Sequence, residues 1–174
     1  MPAPAVLLLL GALALPGAPS SGDVSACAAT DVKFDVKTIN GNHDLPQPDG
    51  GKALVVFLQD DKLFAGHPRP TTRYSVDGAW VAATHGDTFN YVMVEPGEHH
   101  LCANWQFAGA PLAHARPTSA AHFTAEAGKT YFFVAKDEVN SDTAQGGVVL
   151  KPLDSDEGKL LLRSFPRSES VAKK

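Results

Sequence analysis

A turn signal interrupts this chain about every eight to twelve residues, and between the signals apolar residues repeat with a period of two. Segments that short, with no helix-length pattern between them, leave no room for a parallel strand–helix–strand unit. Such a chain buries its apolar faces as a sandwich or a barrel. Residues 32–37 alternate apolar and polar side chains. Residues 40–51 form a loop rich in Gly, Pro, Asn and Asp. Residues 53–58 are a continuous apolar run, as in a central strand covered on both faces. Segments 71–76 and 79–84 flank Asp77-Gly78, a dipeptide that tolerates positive φ at a tight hairpin. Segments 88–94 and 99–107 flank Glu95-Pro96-Gly97-Glu98, and segments 119–125 and 130–136 flank Glu126-Ala127-Gly128-Lys129. Both read as further hairpins closed by turn residues. A last strand is expected over 147–153. A short helix is expected over 155–164, capped by Asp154 with Glu157 near its start.

The expected fold class is therefore all-β: a single antiparallel β-sandwich, Ig-like or prealbumin-like, of about eight or nine short strands, with a short C-terminal helix. Phe34, Val36, Leu54, Val56, Leu58, Trp80, Val92, Leu101, Trp105, Phe123 and Phe133 occupy its apolar slots and are the expected core. The organisation reads as a signal peptide over 1–22, an N-terminal strand and Pro/Gly loop over 23–51, the β-sandwich domain over 52–165 and a polar tail over 166–174.

The leader rests on an apolar run from Ala5 to Leu15, too short to span a bilayer and of the right length for a signal h-region. Pro16, Gly17 and Pro19 follow it, and no Lys or Arg precedes it. The expected destination is outside the cytoplasm, in the periplasm or beyond, with no stable transmembrane span once the signal is cleaved. About 150 residues remain, the size of one domain with a real core.

Two fates exclude each other at Cys27. Val24-Ser25-Ala26-Cys27 resembles a lipobox, whose cysteine is acylated and anchors the protein. Eleven residues, two prolines among them, separate it from the apolar run, whereas a lipobox normally abuts that run. The other fate is a Cys27–Cys102 disulfide, since the chain has two cysteines and an oxidising compartment preserves such a pair. His100, Cys102 and Asn104 share one face of their strand and Leu101, Ala103 and Trp105 the other. With a hairpin at residues 95–98, Tyr91 and Met93 join the Cys102 face, which is then too apolar to be bare. The segment carrying Cys27 is the expected cover.

Three segments carry a resemblance: Val76-Asp77-Gly78-Ala79-Trp80-Val81, Pro96-Gly97-Glu98-His99-His100-Leu101, and Ala125-Glu126-Ala127-Gly128-Lys129-Thr130-Tyr131-Phe132. In this order and spacing they resemble a bacterial envelope family, domain of unknown function 2846, over roughly residues 52–155. The resemblance implies an exported all-β domain and brings no catalytic residue with it.

The formal net charge is −4, and residues 1–22 hold no charged side chain, so all of it falls on the rest of the chain. A mildly acidic domain without a basic patch gains nothing from counterion release, which argues against nucleic acid as a partner. There is no G-x-S-x-G elbow, no H-E-x-x-H and no Gly-rich phosphate loop. Cys102 lacks the closely spaced His or Met of a blue-copper site, His114 being twelve residues on. Asp154-Ser155-Asp156-Glu157-Gly158 faintly echoes a calcium loop. Its Gly falls one place early, however, and Phe165 stands where the bidentate Glu belongs.

Seven histidines stand out: His43, His67, His85, His99, His100, His114 and His122. His99 and His100 are adjacent on one strand and point to opposite faces, so they cannot share a metal. His100 and His122 meet only if their strands are neighbours in the right register. No catalytic, cofactor-binding or metal-ligating residue is assigned. The leading expectation is a non-enzymatic binding or structural module of the bacterial cell envelope, its partner an unidentified envelope protein or glycan. One alternative is a histidine-dependent metal-binding periplasmic protein. The other is a hydrolase pairing Asp60 or Asp61 with a histidine.

Overall fold

The computed structural model of the protein describes residues 27, 31–41, 43–62, 64, 68–107, 118–140 and 145–173. The expected signal peptide, His67 and His114 lie outside the described residues. The strands are β1 (Phe34–Ile39), β2 (Ala53–Asp60), β3 (Thr71–Val76), β4 (Ala79–His85), β5 (Thr88–Val94), β6 (Gly97–Phe107), β7 (Thr118–Ala125), β8 (Thr130–Asn140), β9 (Gln145–Leu153) and β10 (Arg167–Ala172). One helix, α1 (Ser155–Leu162), precedes β10.

The strands form two sheets. Six run in the order β1-β10-β5-β2-β8-β9 and four in the order β4-β3-β6-β7. Their inner faces share one core, built from Ala53, Val55 and Phe57 of β2, Tyr74 and Val76 of β3, Leu101, Ala103 and Trp105 of β6, and Phe133 and Ala135 of β8. Phe57 stacks on Tyr74 across the gap at 4.4 Å. The run 53–58 is a central strand buried on both faces, as its continuous hydrophobicity implies. Leu54, Val56 and Leu58 point away from the other sheet, into a second cluster with Phe89, Phe132, Val134, Leu162 and Phe165.

Helix α1 closes that second cluster. Asp154 caps it, accepting from the backbone N–H groups of Asp156 and Glu157 at 2.8 and 2.9 Å. Gly158 lies against Phe132 so closely that a Cβ there would sit 2.3 Å from the ring. At the C-terminal end of the helix, His43 Nδ1 lies 3.1 Å from the Leu162 carbonyl and 2.9 Å from that of Phe165. Both partners are acceptors, so Nδ1 carries the proton. That contact ties His43 to the end of the helix, and Leu45 packs against the second cluster.

Of the three hairpins read from the turn residues, one forms. Asp77 (φ 49°) and Gly78 (φ 78°) join β3 to β4, which pair antiparallel. The turns at 95–98 and 126–129 are sheet-to-sheet crossings: β5 pairs with β2 while β6 pairs with β3 and β7, and β8 pairs with β2 and β9. Turn chemistry reverses the chain, but which sheet receives the next strand is decided by burial of its inner face. The sheets are consequently not wholly antiparallel, as β8 lies parallel to β2 and β10 meets β5 in parallel. The polar tail expected over 166–174 holds β10, which pairs with β1 along its whole length. Its outward polar residues hid it, while Ser168 is fully buried and donates to Thr88 Oγ1 at 2.7 Å.

Of the expected core, Phe34, Leu54, Val56, Leu58, Leu101, Trp105 and Phe133 are buried. Val36, Trp80, Val92 and Phe123 are half-buried. Trp80 lies on the outer side of the four-stranded sheet, where the Arg73 guanidinium stacks on its ring at 4.2 Å.

Candidate functional site

Four inner rows turn polar at the same end of the core. Along β2 the inward residues run Ala53, Val55, Phe57 and then Gln59. Along β3 they run back from Val76 and Tyr74 to Thr72. On β4 Ala82 is followed by Thr84, and on β8 Phe133 and Ala135 are followed by Asp137. The parallel register places Phe57 beside Phe133 and Asp60 beside Lys136. Carried one residue further, it sets Asp61 beside Asp137. Two carboxyl groups thus share the buried end of the core, Asp61 fully buried and Asp137 5% exposed.

Gln59 is the hub between them. Its amide nitrogen donates to Asp61 Oδ2 at 2.8 Å and Asp137 Oδ2 at 2.7 Å, and lies 3.1 Å from the Pro70 carbonyl. Its amide oxygen accepts from Thr84 Oγ1 at 2.7 Å, so the Tyr74 hydroxyl, 2.8 Å from Thr84, is left to donate in turn. Trp105 Nε1 donates to Asp137 Oδ1 at 2.7 Å, and Thr72 Oγ1 approaches both of its oxygens at 3.3 and 3.5 Å. The Asp61 backbone N–H donates to Asp87, which Arg69 holds from the other side.

Burial, with the neighbouring Asp137 charge second, pushes the Asp61 carboxyl up to about 8. Burial raises Asp137 as well, against the pull of Trp105, Asp61, Gln59 and Thr72, all of which favour its carboxylate. The hydrogen bond between the two raises Asp61 and lowers Asp137, so a proton shared by the pair sits on Asp61. Asp61 Oδ1 has no hydrogen-bond partner among the described residues. The pair can hold and exchange a proton, but both carboxyl groups are sealed from solvent. Among the described residues Asp61 is thus joined to a second carboxyl group and to no histidine. Asp60 is half-buried, with the Lys62 N–H 3.4 Å from its side chain.

The described histidines lie elsewhere. His99 Nδ1 is 2.6 Å from Asp77 Oδ2 and its Nε2 is 2.7 Å from the Glu95 carbonyl. A ring bonded to a carboxylate and a carbonyl is held as imidazolium. Burial opposes that charge, but the Glu95 carbonyl and Asp77 outweigh it and raise the histidine. Burial likewise opposes ionisation of Asp77, and the His100 N–H and the His99 ring together lower it. This pair ties the β5–β6 crossing to the β3–β4 turn. His85 Nδ1 contacts Thr71 Oγ1 at 3.1 Å. His100 and His122 are direct cross-strand partners, with rings 6.4 Å apart. Among the described residues, no group of three or more His, Cys, Asp or Glu side chains could hold a metal ion.

The outer face of the four-stranded sheet carries the disulfide. Cys27 and Cys102 are joined, and Cys102 is fully buried. Arg73, 4% exposed on the same face, donates to Asp31 Oδ1 and the Val32 carbonyl at 2.6 Å each, and to Asn104 Oδ1 at 3.0 Å. Gln106 brackets Phe34, accepting from its N–H and donating to its carbonyl. The described residues Cys27, Asp31, Val32 and Phe34 therefore lie against part of this face, where cover by the N-terminal segment is expected. The reason differs, because Tyr91 and Met93 belong to the other sheet and pack beside the second cluster. The cover instead satisfies a buried guanidinium and the disulfide. Among the described residues, no helix is long and apolar enough to cross a membrane. No known protein-family profile matches the sequence, and no curated protein matches it.

Proposed function

We propose that this chain is an exported, non-enzymatic binding or structural module of the bacterial cell envelope, an Ig-like or prealbumin-like sandwich related to domain of unknown function 2846. The observation that carries this reading is the Cys27–Cys102 disulfide, which pins Cys27, just after the expected leader, to the outer face of the four-stranded sheet. A bond of that kind persists in an oxidising compartment. A disulfide-bonded Cys27 also favours a free N-terminal segment over a lipid anchor. The enzyme reading is weaker, since the two carboxyl groups of raised proton affinity, Asp61 and Asp137, are enclosed and no histidine adjoins them among the described residues. The partner class that suits an envelope module is a protein or a glycan of the wall.

Fractionation of a bacterial host making the full chain tests the reading. The expected result is a shortened protein in the periplasmic or envelope fraction whose thiols react only after reduction. Co-sedimentation with purified peptidoglycan, against cross-linking to envelope proteins, separates a glycan from a protein partner. A full-length, reduced protein confined to the cytoplasm would overturn the proposal.

A further inference from the structure

Gln59 and Thr84 meet at the sealed end of the core, with more reactive groups around them than a structural hydrogen bond requires. Gln59 comes from β2 of the six-stranded sheet and Thr84 from β4 of the four-stranded one, and both are fully buried. Thr84 Oγ1 donates to the Gln59 amide oxygen at 2.7 Å. With ordinary carbonyl geometry, that contact puts the hydroxyl oxygen about 3.5 Å from the amide carbon, at the outer limit of a near-attack contact. The Gln59 amide nitrogen lies 2.8 Å from Asp61 Oδ2 and 2.7 Å from Asp137 Oδ2. Tyr74, stacked on Phe57 at 4.4 Å, holds the Thr84 hydroxyl from its other side at 2.8 Å. A nucleophile, an acyl group and a carboxyl pair beside the leaving nitrogen are thus held together away from water.

We propose that Gln59 and Thr84 react within the folded chain to form an ester that cross-links the two sheets. The Thr84 hydroxyl oxygen gives an electron pair to the Gln59 side-chain carbonyl carbon, and its proton passes to the amide oxygen along the existing hydrogen bond. The tetrahedral species carries no net charge, which suits a buried site. Asp61 then protonates Nε2, the C–N bond breaks with its electron pair going to nitrogen, and ammonia leaves. The proton on the former amide oxygen passes to the Asp61–Asp137 pair as the carbonyl re-forms, so the pair ends with as many protons as it began with. One C–O bond replaces one C–N bond, and nothing is oxidised or reduced. Burial favours a neutral Asp61, the form that can act as the acid. An amide is a reluctant acyl donor, and confinement offsets that, since well-oriented groups in one molecule react as though at about 10⁵–10⁸ M. The same enclosure keeps water from the ester once it has formed.

This cross-link is independent of the envelope assignment, and its test does not require export. The purified full chain is reduced, weighed by mass spectrometry and digested with trypsin. The expected mass is that of the unreacted chain less one ammonia, and the digest should join the peptide 53–62 to the peptide carrying Thr84. Alkaline hydroxylamine, which cleaves esters, should separate the two. A cyclised Asn40-Gly41 would also lose ammonia but would leave those peptides apart, and that result would count against the ester. Thr84→Val should restore the full mass, whereas Thr84→Ser, which keeps a hydroxyl, should still link. Asp61→Asn should link about 10²–10⁴-fold more slowly, the usual worth of a general acid. The measurement on the parent chain decides without any variant having to fold. An unreacted mass in the parent, a joined peptide that persists in Thr84→Val, or linking at the parent rate in Asp61→Asn would overturn the proposal.

Discussion

Asp61 is the residue at which burial and chemistry pull hardest against each other. Its folded value, about 8, lies above the ordinary aspartate value of about 3.9. A raised acid favours the protonated native state, so its contribution is complete below about pH 4 and is lost as pH rises through 8. The urea midpoint should therefore fall from pH 5 to pH 9, and Asp61→Asn, which cannot ionise, should flatten that slope. An unchanged slope in Asp61→Asn would show that the carboxyl is already charged. His99 and Asp77 work the opposite way round from each other. The raised histidine stabilises below its ordinary value of about 6.5 and loses that contribution as pH rises through its folded value. The lowered Asp77 stabilises above about 3.9 and loses its contribution as pH falls. Between those limits both charges are present. The His99 ring should titrate above 6.5 by nuclear magnetic resonance and move down in Asp77→Asn; a titration indifferent to that change would remove the ion pair.

Among the elements, α1 is set by local sequence at its start and by tertiary contact at its middle. Asp154 and the acidic first turn would start a helix in many contexts. Gly158 is a poor helix former, and replacing it by Ala normally gains about 1 kcal/mol in a helix interior. Here the new methyl would meet Phe132, so Gly158→Ala should destabilise by about 1–3 kcal/mol, the usual cost of overpacking. A chemical-denaturation curve of the variant checks the sign: a gain in stability would mean that the helix can lift off β8 without loss. Strand β10 shows the same division. Its residues alternate too weakly to announce a strand, yet they fill the gap between β1 and β5.

For the whole molecule, the disulfide and the buried Arg73 together decide whether the N-terminal segment stays on the four-stranded sheet. The cross-link closes a loop of sequence separation 75, worth about 4 kcal/mol in the chain-entropy treatment. Reduction under native conditions should lower the urea midpoint accordingly and speed proteolysis of the segment before β1. The sandwich interior should survive, because none of its core contacts passes through the cysteines. Equal midpoints with and without reductant would mean that the Arg73 contacts alone hold the cover.

Period-two patterning, the Asp77-Gly78 hairpin, the Asp154 cap, the doubly covered central strand and the cysteine pairing were all legible in the residues themselves. Each depends on contacts close in sequence, on the alternation of a single strand, or on there being only two cysteines to join. The sheet-to-sheet crossings at 95–98 and 126–129 and the strand hidden in the C-terminal segment were not, because turn residues specify a reversal and not its destination. The Asp61–Asp137 pair was half visible, since Asp137 follows Phe133 and Ala135 at an inward slot. Its partner depended on a parallel register that pairs residues 76 apart in sequence, as Phe57 pairs with Phe133. The meeting of His100 with His122 was likewise a question of register. Such pairings are chosen by the fit of whole inner faces across the core, a property that only the assembled sheets possess.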